Sequence, residues 1–196
     1  MQIIGHRGAK GLAPENTIES IQAAIEHSVD MIEIDVRIHK DSVVLSHDET
    51  VPNQSYTSLR EALRVVDGQV PLNIELKESQ VIDHLPALLK DYEGEILFSS
   101  FKFQMLTQIK KLLPTCDVAV LEKWSGVRAV AEAELVRTKR IHIKQNWLWA
   151  SFVRSLKHRG YEVYAYTVNS TRRAHELAEW GIDGIVTDYP NKFSKK

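Results

Sequence analysis

The chain has 196 residues, 43% hydrophobic and 26% charged, the composition of a folded globular protein rather than a disordered or fibrous one. Its 25 basic and 26 acidic residues leave a formal charge of −1, so no overall positive field exists to gather nucleic acid or an anionic membrane, and any phosphate must be caught locally. The lone cysteine, Cys116, excludes an intrachain disulfide, fits a reducing compartment, and reads as a structural thiol because no activating base lies near it in sequence.

Met1-Gln2-Ile3-Ile4 runs straight into a strand without a basic leader, and no segment approaches the ~20 apolar residues of a membrane helix. A cytoplasmic location is therefore expected, with Lys195-Lys196 as a solvated end. The strand Ile3 to His6 leads into a turn-rich loop, Arg7 to Pro14. A helix follows from Ile18 to His27, with Ile18, Ile21, Ala24 and Ile25 at helical spacing and Asn16 or Thr17 as its N-cap. Met31 to His39 is an apolar, β-branched strand that nevertheless carries Glu33 and Asp35. Lys40-Asp41-Ser42 is a tight turn, and Val43 to His47 a returning strand.

Ser58 caps a helix from Leu59 to Val66, Pro71 to Leu76 is a strand, and Gln80 to Tyr92 a helix that Pro86 kinks or restarts. Beyond this point strand and helix alternate. Strands are expected at Ile96–Ser100, Val118–Leu121, Ile141–Lys144, Glu162–Val168 and Gly184–Asp188. The helices between them are Phe103–Leu113, Gly126–Arg137, Ser151–His158 and Thr171–Trp180. Such alternation signals a parallel sheet with helical crossovers. With Val43–His47 counted as the return arm of a hairpin, eight β/α strands remain, the number that closes a (β/α)8 TIM-type barrel. No G-x-G-x-x-G follows the first strand, which disfavours the doubly wound alternative. A compact single domain over residues 1–196 is expected, with a β-hairpin extension of the second strand and no sizeable insertion.

Function in such a barrel sits at the C-terminal strand ends. Residues i and i+2 of a strand share a face, so Glu33 converges with Asp35, and Glu75 with Lys77. An isolated Glu-x-Asp is more often a solvated surface face, and Glu75–Lys77 alone could be a plain ion pair. The company of His6, at the end of the first strand, and His47, folded back by the hairpin, reverses that reading. Three carboxylates without a cysteine form a hard oxygen site suited to Mg²⁺ or Ca²⁺. Two flanking histidines are natural general acid and base, and Arg7 and Lys77 supply positive charge for a phosphate. His27, His84, His142, His158 and His175 are read as structural, for want of partners.

The segments His6-Arg7-Gly8, Pro14-Glu15-Asn16-Thr17, Glu33-Ile34-Asp35-Val36, His47-Asp48, Asn73-Ile74-Glu75-Leu76-Lys77, Ser99-Ser100-Phe101, Thr167-Val168-Asn169 and Gly181 to Pro190 resemble the glycerophosphodiester phosphodiesterase family, in family order and across the whole chain. The resemblance implies a TIM-type barrel that hydrolyses glycerophosphodiesters to sn-glycerol 3-phosphate and an alcohol with a divalent cation. It implies His6 and His47 as the acid/base pair, Glu33, Asp35 and Glu75 as metal ligands, Arg7 and Lys77 as phosphate holders, and Glu15 and Asn16 as supports. A small-molecule substrate is expected, with neither nucleic acid nor an integral membrane segment. The order of the two histidines, and attack by water or by the glycerol 2-hydroxyl, stay open.

Two departures stand out. After Asp48 the family usually carries a longer segment over the mouth, absent here, and its usual W-T-V-N reads Tyr166-Thr167-Val168-Asn169. A more open mouth is expected. Alternatives are a lysophospholipid-directed phosphodiesterase, with Phe101, Trp147 and Trp149 lining the mouth, or a barrel that binds phosphodiesters without turnover.

Overall fold

The computed structural model describes residues 1–193, so Lys195 and Lys196 lie outside the described residues. Among the described residues nine strands form one sheet: β1 (Gln2–Gly5), β2 (Met31–His39), β3 (Ser42–Leu45), β4 (Leu72–Leu76), β5 (Ile96–Ser100), β6 (Asp117–Glu122), β7 (Arg140–Lys144), β8 (Glu162–Tyr166) and β9 (Gly184–Thr187). β1 pairs in parallel with β2 (Ile4 beside Met31) and with β9 (Ile3 beside Ile185). β1, β2 and β4 to β9 therefore close into a parallel ring, and β3 is joined to it as an antiparallel arm on β2. This is the (β/α)8 barrel that the alternation of elements predicts, hairpin included.

Among the described residues seven α-helices cover the ring: α1 (Ile18–Glu26), α2 (Leu59–Val66), α3 (Leu85–Leu89), α4 (Phe103–Leu112), α5 (Gly126–Val136), α6 (Ala150–His158) and α7 (Thr171–Trp180). α1 starts at Thr17, whose side chain accepts from the Ser20 N–H while Ser20 reaches back to the cap, and α2 starts at Ser58 in the same way with Glu61. The continuous helix expected over 80–92 is instead a 3-10 segment, Ser79–His84, followed by the short α3. Pro86 lies in the first turn of α3, where a missing N–H costs nothing, so it restarts the helix there. The expected strand at 162–168 ends at Tyr166, and the last strand stops at Thr187.

Alternation along the strands builds two cores. Outward-facing Ile32, Ile34, Ile74, Phe98, Val120, Ile141, Val163 and Ile185 pack under the helices in one large buried cluster. Inward-facing Ile4, Met31, Leu97, Ala119, Tyr164 and Val186 form a smaller one that plugs the barrel floor. Following the inward stripe toward the C-terminal ends, the side chains turn polar: Ile4 gives way to His6, Met31 to Glu33 and Asp35, and Leu97 to Ser99. The site thus rests on an apolar plug.

The loop after β1 is bound tightly to α1. Gly8 has φ of +80°, and a Cβ there would fall 2.3 Å from Ser20 Oγ, so only glycine fits the turn that presents Arg7.

Candidate active site

A cavity of about 150 Å³ opens at the C-terminal end of the barrel, and His6, Arg7, Glu33, His47, Glu75 and Lys77 line it together. Asp35 Oδ1 accepts from Lys77 Nζ at 3.0 Å, Oδ2 lies 3.2 Å from Arg7 Nε, and Asn16 Nδ2 donates to Oδ2 at 2.9 Å. The Asp35 N–H donates in turn to Asn16 Oδ1 at 3.1 Å, which straps the Pro14–Thr17 loop to β2. Lys77 Nζ also reaches Glu75 Oε1 at 2.6 Å. Arg7 donates its backbone N–H to Glu33 Oε2 at 2.8 Å and its Nη1 to Glu15 Oε1 at 2.7 Å. Asn16, one of the two N-cap candidates, does not cap α1; its side chain is spent on Asp35.

Oxygen atoms of Glu33, Asp35 and Glu75 lie within 4.8 Å of one another, all three residues buried. Burial would raise Asp35, but Lys77 and Arg7 hold its carboxyl below the ordinary range. Burial, then the charges of Asp35 and Glu75, push Glu33 well above it. Burial and Asp35 push Glu75 up to about 7, Lys77 offsetting only part of the rise. Two carboxyls that resist ionising beside a third that is ionised are what a missing positive charge produces. Glu33 Oε1 is buried without a hydrogen-bond partner. An all-oxygen donor set with one oxygen left over fits a divalent cation.

The histidines are held differently. His6 Nδ1 is 2.6 Å from Asp188 Oδ1, and Asn169 Nδ2 donates to Asp188 Oδ2 at 2.6 Å, while Asn169 Oδ1 accepts the Asp188 N–H at 2.9 Å. Against its burial, the hydrogen bonds from His6 and Asn169 hold the Asp188 carboxyl below its ordinary value. His47 stands just past β3, where Ser46 N–H donates to Asp35 O at 3.1 Å, so the hairpin register carries the ring to the cavity. Its Nδ1 is 2.8 Å from Asp48 Oδ1. Partial burial, then Lys77 and Arg7, lower its pKa, which favours the neutral imidazole.

Several lining residues carry no role in the sequence reading. Asp188, directly after the last strand and beside the cavity, closes the His6 arrangement. Asn73, Ser99, His142 and Tyr166 face the same cavity with polar side-chain atoms that lack partners. Asn73 was legible, being two residues before Glu75 on one strand. His142, expected to be structural, lines the cavity from β7, its ring 4.7 Å from that of Tyr164. Phe101 lines the cavity as the alternative reading expects, but Trp147 and Trp149 do not; they stand exposed outside it. Cys116 is half-buried, and burial pushes its thiol up, opposite to an activated nucleophile.

Burial, then the charge of Arg140, pushes His142 down to about 3. In an unfolded chain it titrates near ~6.5. Between those values the unfolded state binds the extra proton, so stability falls as pH falls through that window. Denaturant melts at pH 7 and 5 should show this loss in the wild type, about 2 kcal/mol of it removed in His142→Gln. Equal slopes in the two proteins would show that His142 is not held neutral.

Three carboxylates, two cationic side chains and two histidines gathered at the C-terminal strand ends place a polar, charged site where barrel enzymes carry theirs, suited to an anionic substrate held with a cation. The chain belongs to the glycerophosphoryl diester phosphodiesterase family, whose sequence profile matches residues 6–61 and 64–192. The Bacillus subtilis protein YhdW is 30% identical, over 97% of this chain and 96% of its own. The structure of an Oleispira antarctica phosphodiesterase, in complex with the product sn-glycerol-3-phosphate, superposes with a TM-score of 0.91 at 27% identity, covering 98% of this chain and 94% of that one. A glycerophosphodiester phosphodiesterase from Thermotoga maritima gives 0.84 at 26% identity, covering 98% and 96%.

Proposed function

We propose that this chain hydrolyses glycerophosphodiesters to sn-glycerol 3-phosphate and an alcohol, as a single barrel domain over residues 1–196. The observation that carries the reading is the convergence of His6 and His47 on one cavity with the Glu33, Asp35 and Glu75 carboxylates. Those carboxylates would hold Mg²⁺ or Ca²⁺, which supplies Lewis-acid neutralisation of the phosphoryl oxygens when bound. Arg7 and Lys77, already positioned by Asp35, orient the phosphate and share its negative charge. His47, whose lowered pKa favours the neutral imidazole and whose Nδ1 is engaged by Asp48, takes the proton of the attacking hydroxyl. His6, its ring fixed through Nδ1 by Asp188, presents Nε2 to protonate the leaving alkoxide. Glu15 holds Arg7 and Asn16 holds Asp35 in place. A cytoplasmic setting agrees with the single unpaired thiol, and among the described residues no helix is long and apolar enough to cross a membrane.

Release of glycerol 3-phosphate from glycerophosphocholine, abolished by EDTA and restored by Mg²⁺ or Ca²⁺, tests the reading; turnover that survives full chelation would sink the metal assignment. Phe101 at the mouth favours a second substrate class, the lysophospholipids. Comparing one with glycerophosphocholine at matched concentration separates the two.

Linkage gives a readout independent of turnover. The native state holds an extra proton on Glu75 between about pH 4.5 and 7, so metal-free stability from this group is lost as pH rises through that window. A cation displaces that proton, so its stabilisation is expected to grow with pH. The rise in Tm on adding Mg²⁺ or Ca²⁺ should be larger at pH 8 than at pH 6, and Glu75→Gln should flatten the difference. No shift at either pH would mean that the cluster holds no cation.

A further inference from the structure

Three of the chain's four tryptophans stand in solvent on one sector of the barrel's C-terminal rim: Trp124 is 60% exposed, Trp147 42% and Trp149 53%. Tryptophan is usually well buried, so three together ask for a partner. The backbone presents them deliberately. The buried Glu122 carboxylate accepts the N–H groups of Lys123 and Trp124 at 2.8 and 2.7 Å, fixing the loop after β6. Trp149 stacks on Phe152 with ring centroids 4.8 Å apart, and Phe152 abuts Gly126, where a Cβ would lie 2.3 Å from the ring. The patch therefore runs unbroken from the loop after β6 to the start of α6.

Its charge is one-sided. Lys102, Lys123 and Lys144, at the C-terminal ends of β5, β6 and β7, are all exposed. Lys123 Nζ lies 5.5 Å and Lys144 Nζ 6.0 Å from the Trp124 ring. Segments 101–102, 123–125, 145–149 and 167–170 contain no Asp or Glu, whereas the opposite half of the rim carries Glu15, Asp48 and Glu49. The near-zero net charge does not cancel this sector, because the field that acts at a surface is local to about a Debye length of 8–10 Å.

We infer that the Trp124–Trp147–Trp149 sector, with Lys102, Lys123 and Lys144, docks the barrel on an anionic phospholipid bilayer. Tryptophan rings settle at headgroup depth, one edge in the acyl boundary and the indole N–H in the wet layer, and lysines beside them meet anionic headgroups. A second copy of this chain fits the patch less well, since a two-fold contact would set the three lysines against their own copies. Docked this way, the mouth that Phe101 and Tyr166 border lies at the membrane surface, with no segment spanning the bilayer. Docking does not depend on which phosphodiester is cleaved, so it can fail or succeed apart from the proposed reaction.

The test is co-sedimentation of the full chain with vesicles of phosphatidylcholine alone or with phosphatidylserine added. Each lysine near such a surface is worth about fivefold, so on the order of 100-fold tighter binding to the anionic vesicles is expected, reversed by high salt. Tryptophan emission should shift to the blue on binding. Trp124→Ala/Trp149→Ala, and separately Lys123→Glu, should weaken vesicle binding at least tenfold while leaving Tm and turnover of soluble glycerophosphocholine unchanged. Equal binding to both vesicle types, no binding by the wild type, or undiminished binding by the variants would overturn the proposal. So would a lipid-free dimer, seen by sedimentation equilibrium, that Trp124→Ala/Trp149→Ala dissolves.

Discussion

Replacing His6 or His47 by alanine is expected to lower kcat by about 10²–10⁴-fold, the range for loss of a general acid or base, with little change in Tm. Neither ring belongs to the buried core: His6 is held at the rim by one carboxylate and His47 is 37% exposed. If the two rings serve one proton relay, as proposed, the double variant should be scarcely worse than the poorer single one. Asp188→Asn should fall between wild type and His6→Ala, since the His6 ring loses its anionic partner but keeps its place. On the acidic side, the fall in kcat/KM should follow protonation of His47, whose pKa its surroundings lower. Single-turnover rates across pH check all four, and a His47→Ala enzyme of normal rate would remove that residue from the mechanism.

The three carboxylates are expected to respond to neutralisation with opposite signs, although each should cost most of the cation-dependent activity. Asp35 is the partner of Arg7 and Lys77, both largely buried beside it. Asp35→Asn leaves two cations without their shared anion, and breaking a buried pair from one side costs about 3–5 kcal/mol. Glu33 is the reverse: its carboxyl is pushed well above the ordinary range by burial and by the other two carboxylates. Glu33→Gln removes repulsion without stranding a cation, so the metal-free protein should be as stable as wild type near pH 8 or more so. Thermal melts in EDTA would show the contrast, and a matching loss from both substitutions would mean that the carboxylates are not ranked as the geometry ranks them.

Much of this was legible in the sequence because strands have a period of two. Glu33 with Asp35, and Glu75 with Lys77, could be put on common faces from spacing alone, and the turn at Lys40–Asp41 was enough to fold His47 back toward them. What spacing cannot give is contact between strands far apart in the chain. Asp188 meets His6 only because β9 closes on β1, and no local pattern tells that its carboxylate rather than another takes the His6 ring. The position of His142 was hidden for a related reason. A solitary histidine on an apolar strand has no partner in sequence, and its place in the cavity follows from facing inward on a ring that must first be closed. Trp147 and Trp149, which only the lysophospholipid alternative put at the mouth, are carried outward by the 3-10 turn at Gln145–Trp147 and the start of α6.

The contact between His6 and Asp188 spans 182 positions along the chain. During synthesis the segments that carry His6, Glu33, Asp35, His47 and Glu75 leave the ribosome first, and at ~5–20 residues per second the last strand follows several seconds or more later. Until it arrives, β1 has only β2 beside it and the His6 ring has nothing to hold it. Nascent chains therefore carry the proposed site residues before the partner of the His6 ring exists, and that contact forms only when β9 pairs with β1. A ribosome stalled between Lys77 and that strand displays a polypeptide that already holds the proposed site residues but lacks the carboxylate that fixes the His6 ring.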